Sequence, residues 1–157
     1  MSFERSLLSA QGYMELEMPD EALREIDALS PKDQLREEVL QIRLFIVMRA
    51  RRWEQALSLC ARLRAASPEG VTGYIHGAFC LHELGRTIEA RQLLVGGPSS
   101  LQSEPTYYYN LGCYDAVLGN LREAARHLER SFQMDGKFRE IAKYDPDLKA
   151  VHGLLGK

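Results

Sequence analysis

The side chains with most chemical capacity in this 157-residue chain are two histidines six residues apart, His76 and His82, and three scattered cysteines, Cys60, Cys80 and Cys113. A spacing of six does not put both imidazoles on one helical face. There is no H-x-x-x-H, no H-E-x-x-H and no cysteine pair, so local spacing offers a metal nothing to bind. No P-loop, no G-x-G-x-x-G after a strand and no G-x-S-x-G occurs, and no strands are predicted. Gly96-Gly97-Pro98 stops a helix without starting another, which denies it the role of a phosphate cradle. The many Asp and Glu follow the polar faces of amphipathic helices, where a carboxylate is simply solvated. The chain therefore reads as a non-enzyme, with no catalytic residues, no metal and no cofactor expected.

Composition narrows the remaining classes. Hydrophobic residues make up 45% and charged residues 27%, ordinary for a globular chain of one domain with its own core. A net charge of -2 argues against a protein that works by neutralising phosphates, and the basic run Arg49, Arg51, Arg52 is isolated, so no nucleic-acid partner is expected. The opening stretch "MSFERSLLSAQGYMELEMPD" carries Glu4, Glu15 and Glu17 and lacks the apolar core of a secretory signal. No stretch approaches the ~20 apolar residues of a bilayer span, so no membrane insertion is expected. An odd number of cysteines without C-x-x-C fits reduced, buried thiols and predicts a cytoplasmic protein.

The elements that position everything else come from a repeat. Ala22, Ala56, Ala90 and Ala124 are spaced 34 residues apart. Glu21, Gln55, Glu89 and Glu123 precede them, and Ile26, Cys60, Leu94 and Leu128 follow one helical turn on. Each copy reads as two helices with a tight turn, since apolar residues recur at three and four and restart after a breaker. Gly85 and Gly119 suit a left-handed residue closing the first helix of a pair. The alanines are small because the paired helices cross closely there, and a bulky side chain would overpack the contact by about 1–3 kcal/mol.

This pattern resembles the tetratricopeptide repeat (TPR) family. The best match is "PTYYYNLGCYDAVLGNLREAARHLERSFQMDGKF", where Tyr108, Leu111-Gly112, Leu118-Gly119, Ala124 and Ser131 fall on aromatic, apolar or small family positions. The second copy adds Trp53, Ala56 and Pro68. The resemblance implies an all-α superhelix (solenoid) of about four helix-turn-helix units at 3–36, 37–70, 71–104 and 105–138, forming a single domain 1–157 with a C-terminal helical cap at 139–157. Departures are visible: Leu44 stands where Ala10, Ala78 and Gly112 stand, the second turn is Arg51-Arg52, and Asp115 replaces Tyr13, Val47 and Leu81.

By the same resemblance, first helices line a groove that holds segments of other proteins. Carried over by register, the groove residues are Leu7, Gln11, Met14 and Glu15, then Gln41, Ile42, Phe45, Met48 and Arg49. The third and fourth copies give Ile75, His76, Phe79, His82 and Glu83, then Tyr109, Asn110, Cys113 and Ala116. Such a wall suits an apolar or amphipathic peptide. Sites that some relatives use to clamp the carboxylate of a heat-shock chaperone fall on Leu7, Gln11, Ile42, Thr72 and His76, so that partner is not expected. The expected function is a non-enzymatic interaction module or adaptor. Open alternatives are a bacterial secretion-type chaperone and a structural subunit whose groove is buried by homo-oligomerisation.

Two terminal features complete the reading. The tail "REIAKYDPDLKAVHGLLGK" resembles the closing segment of some bacterial arrays, with Asp145 capping a short helix, Pro146 at its first position, and Leu148 and Val151 covering Phe132 and its neighbours. In the third copy Gly97 replaces Leu63 and Ser131, which predicts a second helix ending one turn early and a mobile loop over 96–104.

Overall fold

Four residues spaced 34 apart share a left-handed backbone: Glu17 (φ 56°), Arg51 (φ 59°), Gly85 (φ 79°) and Gly119 (φ 86°). Each follows the first helix of a pair and reverses the chain. Glycine adopts this conformation freely, whereas Glu17 and Arg51 hold it against a cost of about 1–2 kcal/mol. The repeat is thus imposed on the backbone even where the residue type resists it.

The computed structural model describes residues 2–156. All regular elements among them are helical. They are α1 (Phe3–Glu15), α2 (Pro19–Asp27), α3 (Pro31–Gln34), α4 (Glu37–Arg49), α5 (Trp53–Ala66), α6 (Thr72–Glu83), α7 (Thr87–Val95), α8 (Pro105–Val117), α9 (Leu121–Met134) and α10 (Lys137–Ala142). Two 3₁₀ helices, Ser99–Ser103 and the tail helix Pro146–Leu154, complete the set. The paired helices begin within a residue of where the 34-residue period places them, whereas α2 and α7 end earlier in their copies than α5 and α9 do. The chain divides into two compact units, one ending at Ser67 and one beginning at Pro68.

In the first unit α1 pairs with α2 and α4 with α5, and α2 packs on α4. Ala10 and Ala22 have no exposed surface and pack with Ile26, Leu29, Val39 and Ile46 in one core. Phe3, Leu7, Tyr13, Met14, Leu23 and Ile42 close over it. Polar ties run between the pairs: Arg52 meets Asp20 at 2.5 Å and Arg43 meets Asp27 at 2.9 Å. Gln34 donates to the carbonyls of Asp27 and Leu29, satisfying acceptors left over at the end of α2.

In the second unit α6 pairs with α7 and α8 with α9, and the tail helix lies against both α8 and α9. Gly112 lets α8 approach α9, since a Cβ there would stand 2.5 Å from Leu128 Cγ. Leu148 and Val151 of the tail are fully buried, each contributing about 1.5–3 kcal/mol to holding it in place. Asp145 caps the tail helix as expected, its side chain accepting from the Asp147 N–H, and Pro146 follows.

The expected loop over 96–104 requires correction. Helix α7 does end early, at Val95, but Ser99–Ser103 forms a 3₁₀ turn in place of an open loop. Leu101 is 1% exposed, and the missing side chain of Gly97 makes the space it occupies, a Cβ there falling 2.5 Å from Leu101 Cδ1. Ser100 Oγ donates to the Glu69 carbonyl. The glycine that ends the helix therefore also seats the turn that replaces it.

Candidate functional site

Helices α1 and α4 leave a groove of about 780 Å³ on the first unit. Leu7, Gln11 and Met14 present one wall at spacings of four and three. Gln41, Ile42 and Phe45 present the other, with Ala10 and Ile46 at the floor. All six wall residues were expected from register. Glu4, Leu8 and Glu38 line it too and were not expected, because they lie a little further round each helix than the register positions. Phe45 is 53% exposed and Leu8 68%, so the apolar walls face solvent.

A further hollow of about 460 Å³ shares Gln11, Met14 and Phe45 and adds Glu15, Leu16, Glu17 and Arg49. The Arg49 guanidinium carbon stands 5.9 Å from the centre of the Phe45 ring. The charged lining is thus four carboxylates, Glu4, Glu15, Glu17 and Glu38, against one guanidinium. Met48 is half-buried and does not line either hollow.

The corresponding positions of the second unit are differently placed. Ile75, Tyr109 and Cys113 are buried, while Phe79, His82 and Asn110 are half-buried. The chain's own tail engages three of them through its Asp145-Pro146-Asp147 segment. Tyr109 donates its hydroxyl to Asp145 Oδ2 at 2.6 Å, and Cys113 Sγ approaches the same oxygen at 3.7 Å. His82 Nε2 pairs with Asp147 Oδ2 at 2.9 Å, and its Nδ1 with Thr87 Oγ1 at 2.9 Å. Burial first, and then the hydrogen bond to Asp145, push the Tyr109 phenol far above its ordinary range. Burial and the negative charges of Asp145 and Asp147 likewise hold the Cys113 thiol protonated.

His76, at one of the carboxylate-clamp positions, is half-buried, and that burial lowers its pKa. Asp115 is wholly buried on α8. Its Oδ1 accepts from Arg91 Nε at 2.7 Å and from Asn120 Nδ2 at 3.2 Å, and His127 Nε2 lies 3.5 Å from Oδ2. No helix among the described residues is long and apolar enough to cross a membrane.

No family model and no curated protein matches the chain. Solved structures do. A MamA fragment, residues 41 to the end, from Desulfovibrio magneticus RS-1 is similar at TM-score 0.74 and 13% identity, over 96% of this chain and 87% of that one. A second MamA crystal structure is similar at TM-score 0.72 and 16% identity, over 87% and 80% of the two chains. YrrB, described as a TPR protein with an unusual peptide-binding site, is similar at TM-score 0.68 and 16% identity, over 85% and 70%. At these identities the likeness is one of fold, and the fold is the all-helical TPR type.

Proposed function

We propose that this chain, built on the TPR fold, is a non-enzymatic protein-interaction module that holds an amphipathic helical segment in the α1/α4 groove of its first unit. The observation that carries this reading is the open apolar groove around Phe45 and Leu8, set against a second unit whose matching face is engaged by the chain's own tail. A solvent-facing apolar surface of this kind marks a binding site. Its lining of four carboxylates and one guanidinium favours a partner whose apolar stripe is flanked by Lys or Arg. YrrB's peptide-binding site lends the fold a precedent for capturing a peptide.

Two series of synthetic helical peptides test this, sharing one leucine stripe and differing in Lys or Glu flanks, titrated by fluorescence anisotropy against the full chain. The Lys series should bind at least tenfold more tightly, and Phe45→Asp should abolish binding with helicity retained, because so exposed a position costs little stability. Equal binding of both series, or unchanged affinity in Phe45→Asp, overturns the reading. The exposure of Leu8 and Leu16 also suits a second copy of the chain as occupant. In that case sedimentation shows a concentration-dependent dimer that Leu8→Asp dissolves.

A further inference from the structure

Donors of mixed chemistry converge where the tail crosses α6 and α8. The Cys113 sulfur and one carboxylate oxygen from each of Asp145 and Asp147 all lie within 4.8 Å of one another. Cys113 is buried and both aspartates are half-buried, so the group is set into the fold and not displayed on its surface. We propose that Cys113, Asp145 and Asp147 form a binding site for a divalent transition metal, with Zn²⁺ the best fit, leaving one coordination position for water.

Geometry and donor chemistry agree on the class of ion. In a tetrahedral zinc site with bonds of ~2.3 Å to sulfur and ~2.0 Å to oxygen, neighbouring S and O donors stand roughly 3.5 Å apart. Cys113 Sγ and Asp145 Oδ2 are 3.7 Å apart without any rearrangement. A thiolate among the ligands selects zinc or cobalt over magnesium and calcium, which prefer oxygen alone.

Electrostatics favour a cation at the same place. Two carboxylates brought this close repel, and the basic partner of Asp147 is a histidine, charged only when protonated. A divalent ion turns that repulsion into attraction and ionises the thiol that burial otherwise keeps neutral. His82 already holds Asp147 through Nε2 and is itself fixed by Thr87 at Nδ1, the kind of outer support that orients ligating side chains.

An independent observation points to a polar occupant. The Tyr114 hydroxyl has no hydrogen-bond partner although the residue is 1% exposed. Its ring centre is 5.0 Å from that of His82. His82 in turn holds Asp147, so this tyrosine packs on the residue that supports the cluster. A metal-bound water would give this orphaned group its partner. Since Cys113 belongs to α8 and the aspartates to the tail, the ion would lock the tail onto the second unit.

The test uses the full chain, reduced and stripped with chelator, and titrated with Co²⁺ and then Zn²⁺. One equivalent of Co²⁺ should produce sulfur-to-cobalt charge-transfer absorption together with the intense visible bands of four-coordination, and Zn²⁺ should displace it. Cys113→Ser should abolish the charge-transfer band, Cys80→Ser should keep it, and Asp147→Asn should weaken binding at least tenfold. A charge-transfer band missing at saturating Co²⁺, or one that survives Cys113→Ser, overturns the proposal. Should Cys113→Ser lose its helical circular dichroism, zinc-edge X-ray absorption on the unaltered chain decides: one sulfur with oxygen neighbours supports the site, and a shell without sulfur refutes it.

Discussion

Asp115 has no exposed surface, yet its carboxylate accepts a 2.7 Å hydrogen bond from Arg91, whose side chain reaches in from α7 with a third of itself still in solvent. A buried charge is tolerable only when paired, and breaking such a pair by removing one partner costs more than replacing the pair. Arg91→Ala should therefore destabilise the chain by about 3 kcal/mol in urea unfolding. Asp115→Leu should cost less than half of that, since the other copies carry Tyr13, Val47 and Leu81 at this register. Equal losses from the two changes would mean that the carboxylate itself is not what Arg91 supports.

Acid should weaken the fold through its histidines. Burial lowers the pKa of His76, and it lowers that of His127 against the opposing pull of Asp115 and Glu123, both from an ordinary value of 6.5. The unfolded chain then binds these protons more readily than the folded one. Their contribution to stability is whole above pH 6.5 and is lost progressively as the pH falls below it. Urea midpoints should drop between pH 7.5 and 5.5, and His76→Asn with His127→Asn should flatten that drop. A double variant with the original slope would assign the loss to other groups.

Glycines at different places in the paired helices should respond oppositely to alanine. At Gly112 a Cβ would stand 2.5 Å from Leu128 Cγ and 3.3 Å from the Ala124 carbonyl oxygen, so Gly112→Ala should cost about 1–3 kcal/mol. At Gly12, inside α1, nothing lies within 4 Å of the same atom, and Gly12→Ala should add about 0.5–1 kcal/mol. Thermal unfolding of the two variants, in opposite directions from the parent, is the check.

What the sequence revealed follows the range of the interaction involved. The 34-residue period placed every paired helix, because close crossing at Ala22, Ala56, Ala90 and Ala124 must leave a local mark. Gly85 and Gly119 announced their left-handed backbone, whereas Glu17 and Arg51 adopt it under neighbours' constraint and gave no sign. Leu8 escaped notice because register transfers single positions, while a groove wall is as wide as the side chains that build it. The burial of Tyr109 and the meeting of Cys113 with Asp145 and Asp147 depend on contacts 32 to 36 residues apart in a segment outside the repeat, which no period encodes.

Among the described residues no disulfide ties the units, and the three thiols are buried, Cys60 in the first unit and Cys80 and Cys113 in the second. A thiol-reactive dye can reach each sulfur only when the surrounding helices part. Modification of Cys60 therefore times the opening of one unit, and modification of Cys80 and Cys113 that of the other. The chain carries its own pair of clocks for whether its halves come apart together or in turn.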